Sequence, residues 1–160
     1  MSQHETKIRE MKRDDVDACA DIIDSLSFFH QYGWSGEAAK KTFLEVLAQE
    51  NMCLLVAVNA DEKVMGFAWF VRKGAFDRSG YLRLIAVSSA FQRSGVGKLL
   101  LSELEHRFLQ AGGIFLLAAT GNTAAHTFYE AEGYRQVGEI QDFVESGLHE
   151  RIYFKPKPMS

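Results

Sequence analysis

A mixed α+β fold built on one sheet is what this sequence predicts, and three observations predict it. Strand-like apolar runs and helical patterns follow one another in the order β α α β β β α β α β β. No repeat or internal linker divides the 160 residues, a length that suits a single domain over residues 1–160. Hydrophobic residues at 47% and charged residues at 24% are ordinary globular usage, so nothing reads as disordered and one substantial core needs no disulfide support.

Ile8 to Lys12 reads as a short strand, after which Asp14 and Asp15 supply an N-cap and a first-turn acid. Val16, Cys19, Ala20, Ile23 and Leu26 recur at helical spacing and predict the first helix. An aromatic connector from Phe28 to Trp34 leads to Ser35, a cap for a second helix with Ala39, Phe43, Val46 and Leu47 inward. Cys53 to Val58 and Val64 to Val71 are strands about an Asn59–Lys63 turn, with Gly66 marking a bulge or a close contact. Tyr81 to Val87 is a further strand. Gly95 to Ala111 is the clearest helix, with Val96, Leu99, Leu100, Leu104, Phe108 and Ala111 assigned to one face and Gly112–Gly113 as its stop. Ile114 to Ala119 is an unbroken apolar strand, the pattern of a buried parallel position. Thr123 to Ala131 is a short helix, and Tyr134 to Phe143 and Glu150 to Lys155 form a last β pair. Pro156 and Pro158 follow that pair, where a missing N–H costs little.

Charge and cysteine usage narrow the class. A net charge of −3 offers no global field for nucleic acid or an anionic membrane. Cys19 and Cys53 have neither zinc nor disulfide-scaffold spacing and read as free thiols, and no metal-ligand pattern occurs, so no metal is expected. The polar start from Met1 to Asp15 carries no secretory pattern, and no apolar run reaches the roughly 18 residues of a membrane span. A soluble, cytoplasmic protein is expected.

The chemistry concentrates where the strand ending at Ile85, Ala86 and Val87 turns into the long helix through Gln92, Arg93, Ser94, Gly95, Val96, Gly97 and Lys98. Glycines at such a turn let backbone N–H groups approach an anion, and the helix start adds unpaired amides and a favourable dipole. A pyrophosphate is the expected guest. A dinucleotide fingerprint needs a third glycine where Leu100 stands. A nucleoside-triphosphate loop needs Ser or Thr at Leu99 and glycine at Gln92. Both fail on those residues.

Gln92-x-x-Gly95-x-Gly97 after a strand resembles the acyl-coenzyme A loop of the GCN5-related N-acetyltransferase (GNAT) superfamily. Asn122-x-x-Ala125-x-x-Phe128-Tyr129 followed by Gly133-Tyr134 resembles that superfamily's second motif, in the right order and at the right distance. The resemblance covers roughly residues 7 to 156. It implies a mixed, mostly antiparallel sheet whose parallel central pair splays apart to admit the pantetheine arm of acetyl-CoA, or another acyl-CoA, as co-substrate. Carried over residue by residue, Ile85, Ala86 and Val87 would pair with pantetheine, and the amides from Gln92 to Lys98 would hold the pyrophosphate. Arg93 and Lys98 either add charge there or are solvated cations. Asn122 contacts the cofactor, caps the next helix, or does both. Tyr129 is either the acid that protonates the departing thiolate or a core tyrosine; a phenol of pKa about 10 is a suitable donor in a dry site.

Relatives often carry a glutamate on or near the splayed strand, and Tyr81 to Val87 has no carboxylate. The gap matters by acceptor. An α-amine is roughly 10–15% neutral at pH 7, whereas a lysine-like amine is neutral in about one part in 2,500 and needs help. Asp77, Asp142, Glu145, His149 and Glu150 are the candidate helpers or, equally, exposed polar residues; His126 reads as a surface residue. By resemblance the acceptor is framed by the aromatic connector and the last β pair, which gives His30, Tyr32, Trp34, Asp142 and Glu145 as substrate candidates, although an aromatic cluster between two helices is more often core than pocket. The expected activity is direct transfer of an acetyl group to a small-molecule primary amine, with a homodimer possible through the sheet. The alternatives are a non-catalytic acyl-CoA-binding module and an acetyltransferase for protein N-termini or lysines.

Overall fold

The computed structural model describes residues 5–159; residues 1–4 and 160, which the expected domain includes, lie outside the described residues. Chain order is β1 (Lys7–Glu10), α1 (Val16–Ser25), α2 (Ser27–His30), α3 (Gly36–Val46), β2 (Met52–Val58), β3 (Val64–Ala75), β4 (Ser79–Val87), α4 (Val96–Phe108), β5 (Ile114–Ala119), α5 (Thr123–Ala131), β6 (Arg135–Glu145) and β7 (Leu148–Lys155). Among the described residues the α-helix added to the predicted order is α2, a single turn inside the aromatic connector. The strands form one seven-stranded sheet in the order β1-β2-β3-β4-β5-β7-β6. Every neighbouring pair is antiparallel except β4–β5, which is parallel.

Strand periodicity sorts the apolar residues to two faces. On β2, Cys53, Leu55 and Ala57 pack with α4, while Leu54, Val56 and Val58 pack with α1 and α3. The α1/α3 face is aromatic: Phe43 meets Phe67 edge-on at 5.3 Å and Trp34 stacks on Trp69 at 6.3 Å. Ser35 caps α3 as its sequence predicts, its hydroxyl accepting from Ala38 N at 3.2 Å, a contact worth about 1 kcal/mol. Asp15 is the first-turn acid its position predicts: buried, it accepts the Lys12 N–H at 2.7 Å and also pairs with the Arg9 guanidinium at 2.7 Å, tying the start of α1 to β1. Burial pushes its carboxyl up, but Arg9 and the Lys12 amide outweigh that and hold it below the usual carboxylate range.

On α4 the inward face is Val96, Leu100, Leu101 and Leu104, whereas Leu99 is exposed. The assignment of Leu99 to the core face fails on phase: five residues at the helical period set it about 140° from Leu104. Gly66 meets both of its predicted readings. The β2–β3 register shifts beside it, and a Cβ there would lie 2.9 Å from the Ala86 carbonyl oxygen. None of the described helices is long and apolar enough to cross a membrane.

Candidate active site

The site begins where β4 leaves β5. The two pair only at Gly80–Ile114, Tyr81–Phe115 and Leu82–Leu116. Beyond that point β4 stays bonded to β3 as far as Val87, and β5 stays bonded to β7 as far as Ala119. The divergence coincides with a bulge: Phe70 faces Leu82 and Trp69 faces Leu84, leaving Arg83 without a partner on β3. A bulge bends its strand and resets the alternation. Hence Leu82 packs on the α4 side, Leu84 and Ala86 on the α1/α3 side, and Ile85 and Val87 return to the α4 side. Arg83 lies over the Trp69 ring at 5.0 Å. The separated strands open a cavity of about 780 Å³, within the usual range for small-molecule sites.

One end of the cavity is the β4–α4 turn. Arg93 and Gly95 both take left-handed backbone, φ 65° and 86°, which turns the chain sharply into α4. Gly95 tolerates this without strain. Leu99 N–H is the first in the helix to reach a carbonyl four residues back, Gly95 O at 3.0 Å, so the amides of Val96, Gly97 and Lys98 have no helical partner. Gln92, Arg93, Gly95, Val96, Gly97 and Lys98 line the cavity. Ser94 does not; its hydroxyl donates to Phe91 O and braces the turn. A Cβ on Gly97 would point at Phe128 and Val87 at 3.7 Å, within the space the glycine leaves. The Gln92 side chain donates to Val87 O at 3.3 Å, joining the turn to the open edge of β4. Lys98 is largely exposed and lies 3.8 Å from Glu132.

The opposite wall is α5. Asn122 caps it, accepting from Ala125 N at 3.1 Å, and also lines the cavity, so both of its predicted roles remain compatible. Tyr129 is half-buried against Phe128, Tyr134 and Tyr153 and lines the cavity. Burial alone pushes its hydroxyl pKa well above the ordinary phenol value. Tyr134 hydrogen-bonds Glu105 at 2.9 Å, whereas the Tyr129 hydroxyl has no hydrogen-bond partner among the described residues. His126 is not a surface residue: it is 6% exposed, and its Nε2 bonds Ala119 O at 2.9 Å. The signal was its position three residues before Tyr129, on the same helical face.

The far end departs most from the sequence reading. Tyr32 lines the cavity, and its hydroxyl donates to Glu150 Oε1 at 2.7 Å. Glu150, on β7 opposite Ala119, is 5% exposed and also lines the cavity. Burial, then the hydrogen bond and charge of Glu150, push the Tyr32 phenol well above its ordinary range. The other substrate candidates are not brought there. Trp34 packs on Phe29, Phe43 and Trp69 because it belongs to the α1/α3 core. His30 is exposed, with its Nε2 bonded to Asp24 O at 2.9 Å. Asp142 and Glu145 are exposed on the β6–β7 hairpin, where Asp142 receives the Gly147 N–H at 2.6 Å and gives its own N–H to His149 Nδ1 at 3.0 Å. That bonding turns the apolar hairpin residues Phe143 and Val144 to the cavity instead. Asp77 is exposed in the β3–β4 hairpin, away from the lining.

Comparison with known proteins places this geometry. The profile of the acetyltransferase (GNAT) family matches residues 19–134. An uncharacterized protein of Mycobacterium leprae is 34% identical over 125 residues, 78% of this chain, which spans only 33% of that relative's length. The N-alpha-acetyltransferase RimI of Mycobacterium tuberculosis is 29% identical over 132 residues, covering 82% of this chain and 79% of RimI. The crystal structure of a spermidine N-acetyltransferase from Vibrio cholerae, in complex with CoA and spermine, superposes with a TM-score of 0.79 over 97% of each chain. At 14% identity that likeness is one of fold. From the matched profile, the chain belongs to the GNAT acetyltransferase family.

Proposed function

We propose that the protein is an N-acetyltransferase that passes an acetyl group from acetyl-CoA directly to the primary amine of a small molecule. The observation that carries this reading is the continuity of one cavity, from the unpaired amides of α4, through the gap between β4 and β5, to Tyr129. The residues fit the co-substrate. Glycine at 97 keeps the cavity wall clear of a side chain beside those amides. The freed edge of β4 at Ile85, Ala86 and Val87 offers backbone groups to an extended polar arm. In this reading the amides from Gln92 to Lys98 hold the diphosphate, with Arg93, Lys98 and Asn122 beside it.

Acetyl-CoA supplies an acyl carbon whose C–S bond gives way as an amine's lone pair bonds to it, leaving amide and thiol. The protein's part is to orient, to exclude water and to move protons. Tyr129, kept protonated by burial, donates from its hydroxyl to the departing sulfur. Cys19 and Cys53 are buried and neither lines the cavity, which supports direct transfer over a cysteine-bound acyl group. A second reading, the α-amine of a protein N-terminus as acceptor, is favoured by the 29% identity to RimI.

Thiol release from acetyl-CoA in the presence of small monoamines, polyamines and alanine-headed peptides separates these readings. The proposal expects turnover with a small amine to exceed that with any peptide. Turnover confined to peptides supports the second reading. Tight acetyl-CoA binding without turnover on any amine identifies a binding module and defeats both.

A further inference from the structure

The pair Tyr32–Glu150 joins two segments 118 residues apart, and it leaves a carboxylate in an unusual state. Glu150 is 5% exposed, its one bonded oxygen meets a neutral phenol, and no cation pairs with it among the described residues. A buried carboxylate normally carries a cationic partner or several donors. The other carboxylate of the cavity, Glu132, stands at the α4 end beside Lys98. The cavity that Glu150 lines also has the apolar Phe28, Phe29, Leu117, Phe143 and Val144 in its wall, with Arg83 on β4.

From this juxtaposition we propose that Glu150, oriented by Tyr32, is the residue that receives the acceptor's ammonium group and takes its proton, and that the acceptor is a monoamine with an apolar substituent. The inference rests on the acyl-transfer reading above and supplies its missing base. An ammonium ion enters and pairs with Glu150. One N–H proton then passes to the carboxylate, which leaves a neutral amine with a free lone pair. Tyr129 then protonates the departing sulfur, its phenolate recovers the proton that the nitrogen loses on becoming an amide, and Glu150 returns its proton to solvent. One proton is released per turnover, and atoms balance. The hydroxyl of Tyr32 holds Oε1, which leaves Oε2 for the ammonium. The apolar side chains of the lining, Phe28, Phe143 and Val144 among them, are the surface offered to the acceptor's substituent.

The test compares wild type with Glu150→Gln, Glu150→Asp and Tyr32→Phe by calorimetric titration of 2-phenylethylamine and of acetyl-CoA, and by kcat/KM against pH. Glu150→Gln is expected to weaken 2-phenylethylamine binding at least about tenfold and to lower kcat/KM by about 10²–10⁴, while acetyl-CoA affinity stays within about twofold. Glu150→Asp is expected to recover part of the amine affinity, and Tyr32→Phe to shift the acid limb of the pH profile. Should Glu150→Gln fail to fold, the latter two variants decide: amine affinity and pH profile unchanged in both overturn the proposal. Tighter binding of spermidine or of an alanine-headed peptide than of 2-phenylethylamine overturns it as well. Absence of acetyl-CoA binding in wild type instead sinks the acyl-transfer reading.

Discussion

Replacing Tyr129 by Phe is expected to lower kcat by about 10²–10⁴ while leaving acetyl-CoA affinity within about twofold of wild type. The ring makes edge contacts with Phe128 at 5.0 Å and Tyr134 at 5.7 Å, and phenylalanine keeps both. The hydroxyl bonds no other described residue, so its removal strands no buried partner and stability changes little. What disappears is the proton. Desolvation raises the phenol's pKa, so Tyr129 stays protonated throughout the neutral range. The same dryness makes a departing thiolate more basic, which favours the transfer. The sign of the pH dependence follows: loss of rate through Tyr129 ionisation is confined to pH above the ordinary phenol range. Steady-state kinetics with thiol detection checks the size of the effect, and a core role for Tyr129 would instead leave kcat unchanged while altering thermal stability.

Gly97→Ala should move stability and ligand affinity in opposite directions. The added Cβ would meet Phe128 and Val87 at 3.7 Å, an ordinary contact, and Gly97 lies outside the left-handed region. Alanine in a helix is favoured over glycine by up to about 1 kcal/mol, so the free protein should melt at the same temperature or slightly higher. Acetyl-CoA affinity should fall about 10–100-fold, or 1.4–2.8 kcal/mol, because the methyl group occupies the approach to the free amides. Thermal melting and calorimetry on the same preparation report the two signs. Gly95→Ala probes a different cause, since its φ of 86° strains any side chain even though nothing would touch the Cβ.

The parts of this architecture that sequence makes legible are those set by local chemistry. Ile114–Ala119 is a strand with the bounds its unbroken apolar run predicts, with Ile114, Leu116 and Ala118 in the core and Leu117, on the other face, lining the cavity. Ser35 and Asn122 cap helices because a short polar side chain before a helical pattern has few other uses. The turn from Val87 to Lys98 is legible through its glycines, Gly95 in left-handed backbone at φ 86° and Gly97 leaving the cavity wall clear. The illegible parts depend on partners distant in the chain. The bulge at Arg83 exists only relative to β3, and no local pattern announces it. Trp34 falls into the core because Phe43 and Trp69 wait there. Tyr32 and Glu150 are both candidates in the sequence, one for the acceptor and one as a helper base, but only the fold brings the two together at 2.7 Å. Leu99 was separable by phase, but a leucine run of three offers more apolar residues than the helix face can bury.

The claim beneath all of this is that main-chain amides at the start of α4 grip a diphosphate. Calorimetric titration of wild-type protein with coenzyme A, dephospho-coenzyme A and pantetheine tests it most directly, since only the first two carry that group. Both diphosphate ligands should bind, with pantetheine weaker by at least about 100-fold, the loss of several charge-assisted hydrogen bonds. Equal affinity for pantetheine and coenzyme A, or no binding of coenzyme A at all, would contradict the account.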